Sequence, residues 1–256
     1  MKILTIGDVV SSQGCEYLRS VLPGLKKELG ADIVIVNGEN SAVGNGMLPQ
    51  SLEHIFASGA DVITSGNHSL KRREIYDYLD SNKPVIRPAN YHSSAPGRGI
   101  EIIDKGYCCV AVINIQGSSY LEPIDNPFNM IDSLIDEAKK QANIIVIDFH
   151  AEATAEKRAM GFYVDGKVSA IFGTHTHTQT NDNQILPNGT GYITDIGMTG
   201  PYFSVLGVDP QIAIEKFKTN LPVRFVNNDG PCVLEGCLFE IDSSTGKTIS
   251  TQLIRR

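Results

Sequence analysis

Apolar positions along this chain follow two alternating rhythms. Residues 2–6 form a short apolar run. After a turn, Leu18, Leu22, Leu25 and Leu29 recur at the spacing of one helical face, with Gly30 placed to end that helix and Pro23 expected to kink it. Residues 32–37, DIVIVN, are rich in β-branched side chains and predict a buried strand. Residues 49–59 open on Pro and close on Gly, which predicts a helix, and DVITSG at 61–66 predicts the third strand. Strands alternating with helices predict parallel β-α units, whose functional groups gather on loops beyond the carboxyl ends of the strands.

The rhythm then changes. Residues 99–117 predict two strands joined at Lys105 and Gly106, a helix around 128–141 leads into a strand at 143–150, and another strand is predicted at 167–172. Strand-like sequence follows around Pro187, Asn188 and Gly189, near 223–226, at 231–241 and at 247–254, with a helix near 210–218. No internal repeat, low-complexity stretch or long linker divides the 256 residues. The expectation is an α/β chain forming one domain over 1–256, a layered sandwich of two mixed β-sheets flanked by helices.

Each early strand, and each of two later ones, stops at a polar group able to bind a metal. Asp8 follows KILTIG, Glu39 and Asn40 follow DIVIVNG, Asn67 and His68 follow DVITSG, His150 follows NIIVIDF, and His175 and His177 follow SAIFG. Any one of these reads equally well as a turn cap or a hydrogen-bonded core residue. Parallel strands, however, bring their carboxyl ends to one edge, and the whole series then predicts a metal site there. Imidazole, carboxylate and amide oxygen without thiolate suit iron, manganese or zinc, and so many donors exceed what one tetrahedral ion needs, so two ions are expected. Paired ions that acidify a bridging water make phosphoester hydrolysis the leading reaction class.

Charge narrows the substrate. With 22 Lys and Arg against 29 Asp and Glu, the formal charge of −7 disfavours a surface for extended nucleic acid, and Lys71, Arg72 and Arg73 read as a solvated helix face. Five cysteines without a C-x-x-C pair supply neither a disulfide framework nor a thiolate zinc site and fit a reducing compartment. The first apolar run breaks at Gly7 and Asp8, too short for a signal peptide or a membrane span, so a cytoplasmic location and no membrane partner are expected. GNGMLP at 44–49 lacks the third glycine of a dinucleotide fingerprint, and there is no G-K-[ST] phosphate loop and no G-x-S-x-G elbow.

In order, GD at 7–8, GEN at 38–40, GNH at 66–68, His150 after a strand and GTHTH at 173–177 resemble the motifs of the calcineurin-like metallophosphoesterases. The first motif lacks the histidine of D-x-H and the second has Glu39 where G-D is usual, departures that match the branch of YmdB-type bacterial phosphodiesterases. KILTIGDVV, VNGENSAVGNG, DFHAEATAEK, GTHTHTQT and TDIGMTGP carry that likeness across nearly the whole chain.

The resemblance implies that Asp8, Glu39, Asn40 and His177 surround one metal, and that Glu39 bridges to a second held by Asn67, His150 and His175. The metals implied are iron or manganese, with zinc also compatible. The resemblance further implies attack of a metal-bridging hydroxide on a 2′,3′-cyclic nucleotide, with His68 as general acid, and a homo-oligomer. Thr199 and Gly200, in TDIGMTGP, are candidate substrate contacts in a loop beside the phosphate, with a tight structural turn as the alternative. Glu152 and Glu156 are expected in the first turns of a helix. A metal-binding regulatory protein acting through a partner, or a phosphatase or nuclease of the same fold, fits the same donors.

Overall fold

Strand β1 (Lys2–Ile6) turns Ile3 to one side and Leu4 and Ile6 to the other, and all three are fully buried because structure covers both faces of its sheet. The same double burial runs through the computed structural model, which describes residues 1–256. The chain continues through β2 (Asp8–Val9), α1 (Ser11–Leu29), β3 (Ile33–Asn37), α2 (Pro49–Ala57), β4 (Val62–Thr64), a 3-10 turn and α3 (Tyr76–Leu79). Then come β5 (Ile100–Asp104), β6 (Cys109–Gln116), α4 (Pro127–Lys139), β7 (Ile144–His150), α5 (Thr154–Tyr163) and β8 (Ala170–Thr174). The last part contains β9 (Gln184–Ile185), β10 (Gly191–Ile193), β11 (Met198–Pro201), α6 (Pro210–Thr219), β12 (Cys232–Ile241) and β13 (Thr248–Arg255).

Two mixed sheets result. A seven-stranded sheet runs β2-β11-β12-β1-β3-β4, with β13 also paired to β12. A six-stranded sheet runs β5-β6-β7-β8-β10-β9. Within them β1, β3 and β4 are parallel, as are β6, β7, β8 and β10, while β12 runs antiparallel to β1. Side-chain parity sorts each strand between layers: Ile33 and Ile35 face the core between the sheets, and Val34 and Val36 face α1 and α2. In β7, Ile144 and Val146 face the inter-sheet core, while Ile145 and Ile147 lie under α4 and α5. The inter-sheet core is shared by both sheets, and Phe239 of β12 lies so close to Gly191 of β10 that a Cβ there would stand 2.7 Å from its ring.

The helix that contains Pro23 runs as one element from Ser11 to Leu29, closed by Gly30 in the left-handed conformation. Most predicted elements form, with two differences. The strand expected at 167–172 begins at Ala170 and extends to Thr174, so the backbone stays extended up to His175. The strand-like run at 223–226 is irregular. Phe225 and Val226 are more than half exposed, and Val226 O accepts from Asp209 N–H instead of joining a strand ladder. No helix is long and apolar enough to cross a membrane.

Replacing Phe239 by Ala is expected to lower the unfolding free energy by about 3–5 kcal/mol, through lost burial and a residual cavity between the sheets. Gly24→Ala, in an exposed turn of α1 where a Cβ meets nothing within 4 Å, is expected to raise it by about 0.5–1 kcal/mol. Urea melts of the two variants check both signs.

Candidate metal centre

The residues singled out at the strand ends come from both sheets. Asp8 opens β2, Glu39 and Asn40 follow β3, and Asn67 and His68 follow β4, all in the seven-stranded sheet. From the other sheet, His150 ends β7, and His175 and His177 follow β8. Glycines permit the close approach: a Cβ on Gly66 would stand 2.2 Å from the His150 ring, and one on Gly7 would stand 2.1 Å from Gly197 O. Asp8, Glu39 and His150 are fully buried. Asn37 Oδ1 accepts from Glu39 N–H at 3.1 Å and fixes the turn that delivers the carboxylate.

Two groups of donors share Glu39. In the first, His150 Nε2 lies 3.3 Å from Glu39 Oε1 and 3.0 Å from Asn67 Oδ1, and His175 Nδ1 lies 3.1 Å from His150 Nε2. In the second, His177 Nε2 lies 3.6 Å from Asp8 Oδ1 and 3.2 Å from Asn40 Nδ2, which in turn donates to Glu39 Oε1 at 3.0 Å. As placed, Asn40 turns Nδ2 toward Glu39 and His177, whereas a ligand would present its oxygen. The reverse orientation would set that oxygen against Glu39 Oε1, two acceptors face to face, and so calls for a cation between them. His68 stands beside both groups, with Nδ1 2.9 Å from Asn40 Oδ1 and its backbone N–H donating to Glu39 Oε2 at 3.1 Å.

All three histidines in these groups are tied back by their outer nitrogens. His177 Nδ1 donates to Leu206 O at 3.1 Å, and His175 Nε2 pairs with Glu152 Oε2 at 3.1 Å. His150 Nδ1 meets Thr174 Oγ1 at 2.9 Å, and that hydroxyl donates onward to Asp148 Oδ1 at 2.6 Å. An acceptor on the outer nitrogen fixes a proton there, so that the inner nitrogen is the one that can turn a lone pair to a cation once its own proton is displaced. Sequence reasoning misses Glu152, Thr174 and Leu206 in this role, because their partnership with the histidines exists only after folding.

Electrostatics points the same way. Burial alone would raise the Asp8 carboxyl, but the His177 and His150 imidazoles hold it below its ordinary range. Burial also opposes ionisation of Glu39, which His150 and His68 nonetheless keep well below the usual carboxylate range. Burial disfavours a charged His150, yet Glu39 and Asp8 push it up to about 9, while burial and the neighbouring His150 pull His175 down to about 3. Asp148, behind the cluster, is pushed by burial to about 7. Acids that hold protons on their neighbours mark a pocket in need of positive charge. Asp8 Oδ1 is buried without a hydrogen-bond partner, and the donor atoms of Glu39, His150 and His175 all lie within 4.8 Å of one another, so the residues present fit a cation.

Other expectations fare differently. Thr199 and Gly200 lie in β11, a buried strand paired with β2 and β12, so the open loop expected at these residues is corrected. The TDIGMTGP segment is drawn into the sheet because Val9 and Leu234 offer ladder partners on both sides of Thr199. Glu156 is in the first turn of α5 and accepts from Ser118 and Ser119, whereas Glu152 precedes that helix. Arg72, expected on a solvated face, donates to Val43 O and Asn45 O and braces the loop after Asn40.

Comparison with known proteins identifies the family. The family model described as YmdB-like protein matches residues 4–254. A Bacillus subtilis (strain 168) protein named 2′,3′-cyclic-nucleotide 2′-phosphodiesterase is 48% identical over 254 residues, 99% of this chain and 96% of its own. The crystal structure of a phosphatase from Mycoplasma pneumoniae superposes with a TM-score of 0.94 at 35% identity, covering 100% of this chain and 93% of the other. A Thermus thermophilus protein of known structure gives the same TM-score of 0.94 at 34% identity, covering 100% of this chain and 99% of the other. The chain belongs to the YmdB-like protein family.

Proposed function

We propose that this protein is a metal-dependent phosphodiesterase that hydrolyses 2′,3′-cyclic nucleotides, working as one domain over residues 1–256. The observation that carries the reading is the set of three histidines, each tied back at its outer nitrogen, with the inner nitrogens of His150 and His175 beside the buried Glu39 carboxylate and that of His177 beside the buried Asp8. The name of the Bacillus subtilis relative supports the substrate class. Asp8, Glu39, Asn40 and His177 would hold one cation, and Glu39, Asn67, His150 and His175 a second, with iron or manganese the ions best suited to this oxygen and imidazole set. When bound, such a pair neutralises phosphate oxygens and acidifies a water to a nucleophile.

The chain's own residues supply the rest. His68 is the general acid that protonates the departing ribose oxygen. Asn40 Nδ2 donates to Glu39, so its Oδ1 is an acceptor and His68 Nδ1 must carry the hydrogen of the bond between them. That bond orients the ring, which is a quarter exposed, and leaves Nε2 as the atom that delivers a proton when the ring is an imidazolium with a hydrogen on both nitrogens. The acidic surface keeps long nucleic acid away, and a small anion enters against the field only because the centre compensates its charge.

Protein loaded with manganese or iron is expected to hydrolyse 2′,3′-cyclic AMP faster than 3′,5′-cyclic AMP, a phosphomonoester or short RNA. Full metal occupancy with no turnover of any phosphodiester would sink the enzyme reading, and a preference for the phosphomonoester would make it a phosphatase. His68→Ala is expected to keep its metals and lose turnover by about 10²–10⁴-fold. Asn67→Ala and His175→Ala are expected to lose metal as well, as measured by elemental analysis, and an emptied site in His68→Ala would overturn the acid role.

We further propose that copies of the chain associate through the segment 202–226, where Phe203, Leu206, Phe217, Leu221 and Phe225 expose about half or more of their surface. Several large apolar side chains exposed within one segment suit a surface covered by a partner, and a second copy brings the same face. Light scattering is expected to give a multimer that Phe217→Glu with Phe225→Glu dissociates. A monomeric wild type would refute the interface.

A further inference from the structure

Two motif segments remain without a role: the end of DFHAEATAEK and the start of TDIGMTGP. Their charged residues meet. Lys157 Nζ lies 2.6 Å from Asp195 Oδ2, and the two side chains are only 2% and 1% exposed. Burying an ion pair contributes little to stability compared with an apolar pair of the same volume, so its retention calls for another reason.

The pair's remaining bonds supply that reason. Lys157 Nζ also donates to Thr174 O at 2.8 Å. Asp195 Oδ2 accepts from Thr176 N–H at 3.1 Å and from Thr176 Oγ1 at 2.7 Å, and Asp195 Oδ1 accepts from Gly197 N–H at 2.9 Å. The ion pair therefore grips the chain immediately before and immediately after His175. His175 has φ of 97° and His177 φ of 58°, both in the left-handed region that side chains other than glycine rarely adopt. A strained backbone persists only where its surroundings hold it. Here the hold falls on the residue whose Nδ1 faces His150. The lysine stem also lies against Gly173, where a Cβ would stand 3.0 Å from Lys157 Cδ.

We infer that Lys157 and Asp195 are positioning residues that lock His175 in its left-handed conformation and so set the affinity of the Glu39, Asn67, His150 and His175 group for its cation. This rests on the reading of that group as a metal site. Removing the lock leaves every donor present but lets the His175 backbone relax, so the cost falls on one of the two cations.

The test is Mn²⁺ titration by calorimetry on chelator-stripped wild type, Lys157→Met, Asp195→Asn, Thr176→Val and His175→Ala, with melting temperatures taken before and after Mn²⁺. Wild type is expected to bind two ions, and Lys157→Met and Asp195→Asn to lose about 10–100-fold at one of them. Thr176→Val, which removes only a half-buried hydroxyl bond, is expected to weaken the same ion less. Lys157→Met combined with His175→Ala is expected to bind no more weakly than His175→Ala alone, a non-additivity that a general loss of stability does not produce. Variants that melt lower yet bind both ions as wild type does would overturn the inference. If the buried substitutions prevent folding, Thr176→Val decides: unchanged binding overturns the inference. A wild type that takes up no Mn²⁺ overturns the metal reading itself, an outcome distinct from the others.

Discussion

Everything in the centre depends on one buried carboxylate. Glu39 is fully buried, and an ionised acid removed from water is tolerated only if neighbouring dipoles and charges replace hydration. The neighbours that do this come from three directions: Asn40 beside it in sequence, the His68 backbone from the adjoining parallel strand, and His150 from the opposite sheet. The two sheets must therefore meet at their strand ends, and the shape of the inter-sheet core sets where that happens.

That meeting is narrow. Gly66 brings the β4 end against the His150 ring, and Gly7 lets β1 exit directly over Gly197, distances that any side chain at either position would prevent. Close packing of backbone against ring converts the rigidity of two hydrogen-bonded ladders into fixed positions for polar atoms that belong to loops. Thr174 shows how few residues this takes. It ends β8, its hydroxyl links Asp148 to His150, and its carbonyl receives Lys157, so one residue connects sheet, histidine and ion pair.

Alternating β-branched runs and leucine faces make the β-α order legible, because parity and helical period depend only on neighbours in sequence. The donors are legible for the same reason: each sits at the end of a recognisable strand or within a few residues beyond it, and only the convergence of strand ends has to be supplied. What sequence does not reveal is set by contacts across long separations. Met198–Pro201 becomes a strand because β2 and β12 flank it, whereas residues 223–226 stay irregular, with Val226 O bonded to Asp209 N–H ahead of α6. The partners behind the histidines escape notice because a threonine, a glutamate and a carbonyl carry no pattern of their own. Thr199 and Gly200 resemble loop residues on the strength of glycine content, which says nothing about what pairs with the backbone.

The Asn40 side chain has a consequence beyond bracing. An amide has one oxygen and one NH₂, and here the NH₂ serves Glu39 and His177 while the oxygen receives the His68 ring. Turned over, the amide would set its oxygen against Glu39 Oε1 and its NH₂ against the His68 ring, so its orientation and the tautomer of that ring are linked. A single side chain thereby ties the hydrogen placement on a partly exposed ring to a carboxylate that water never reaches.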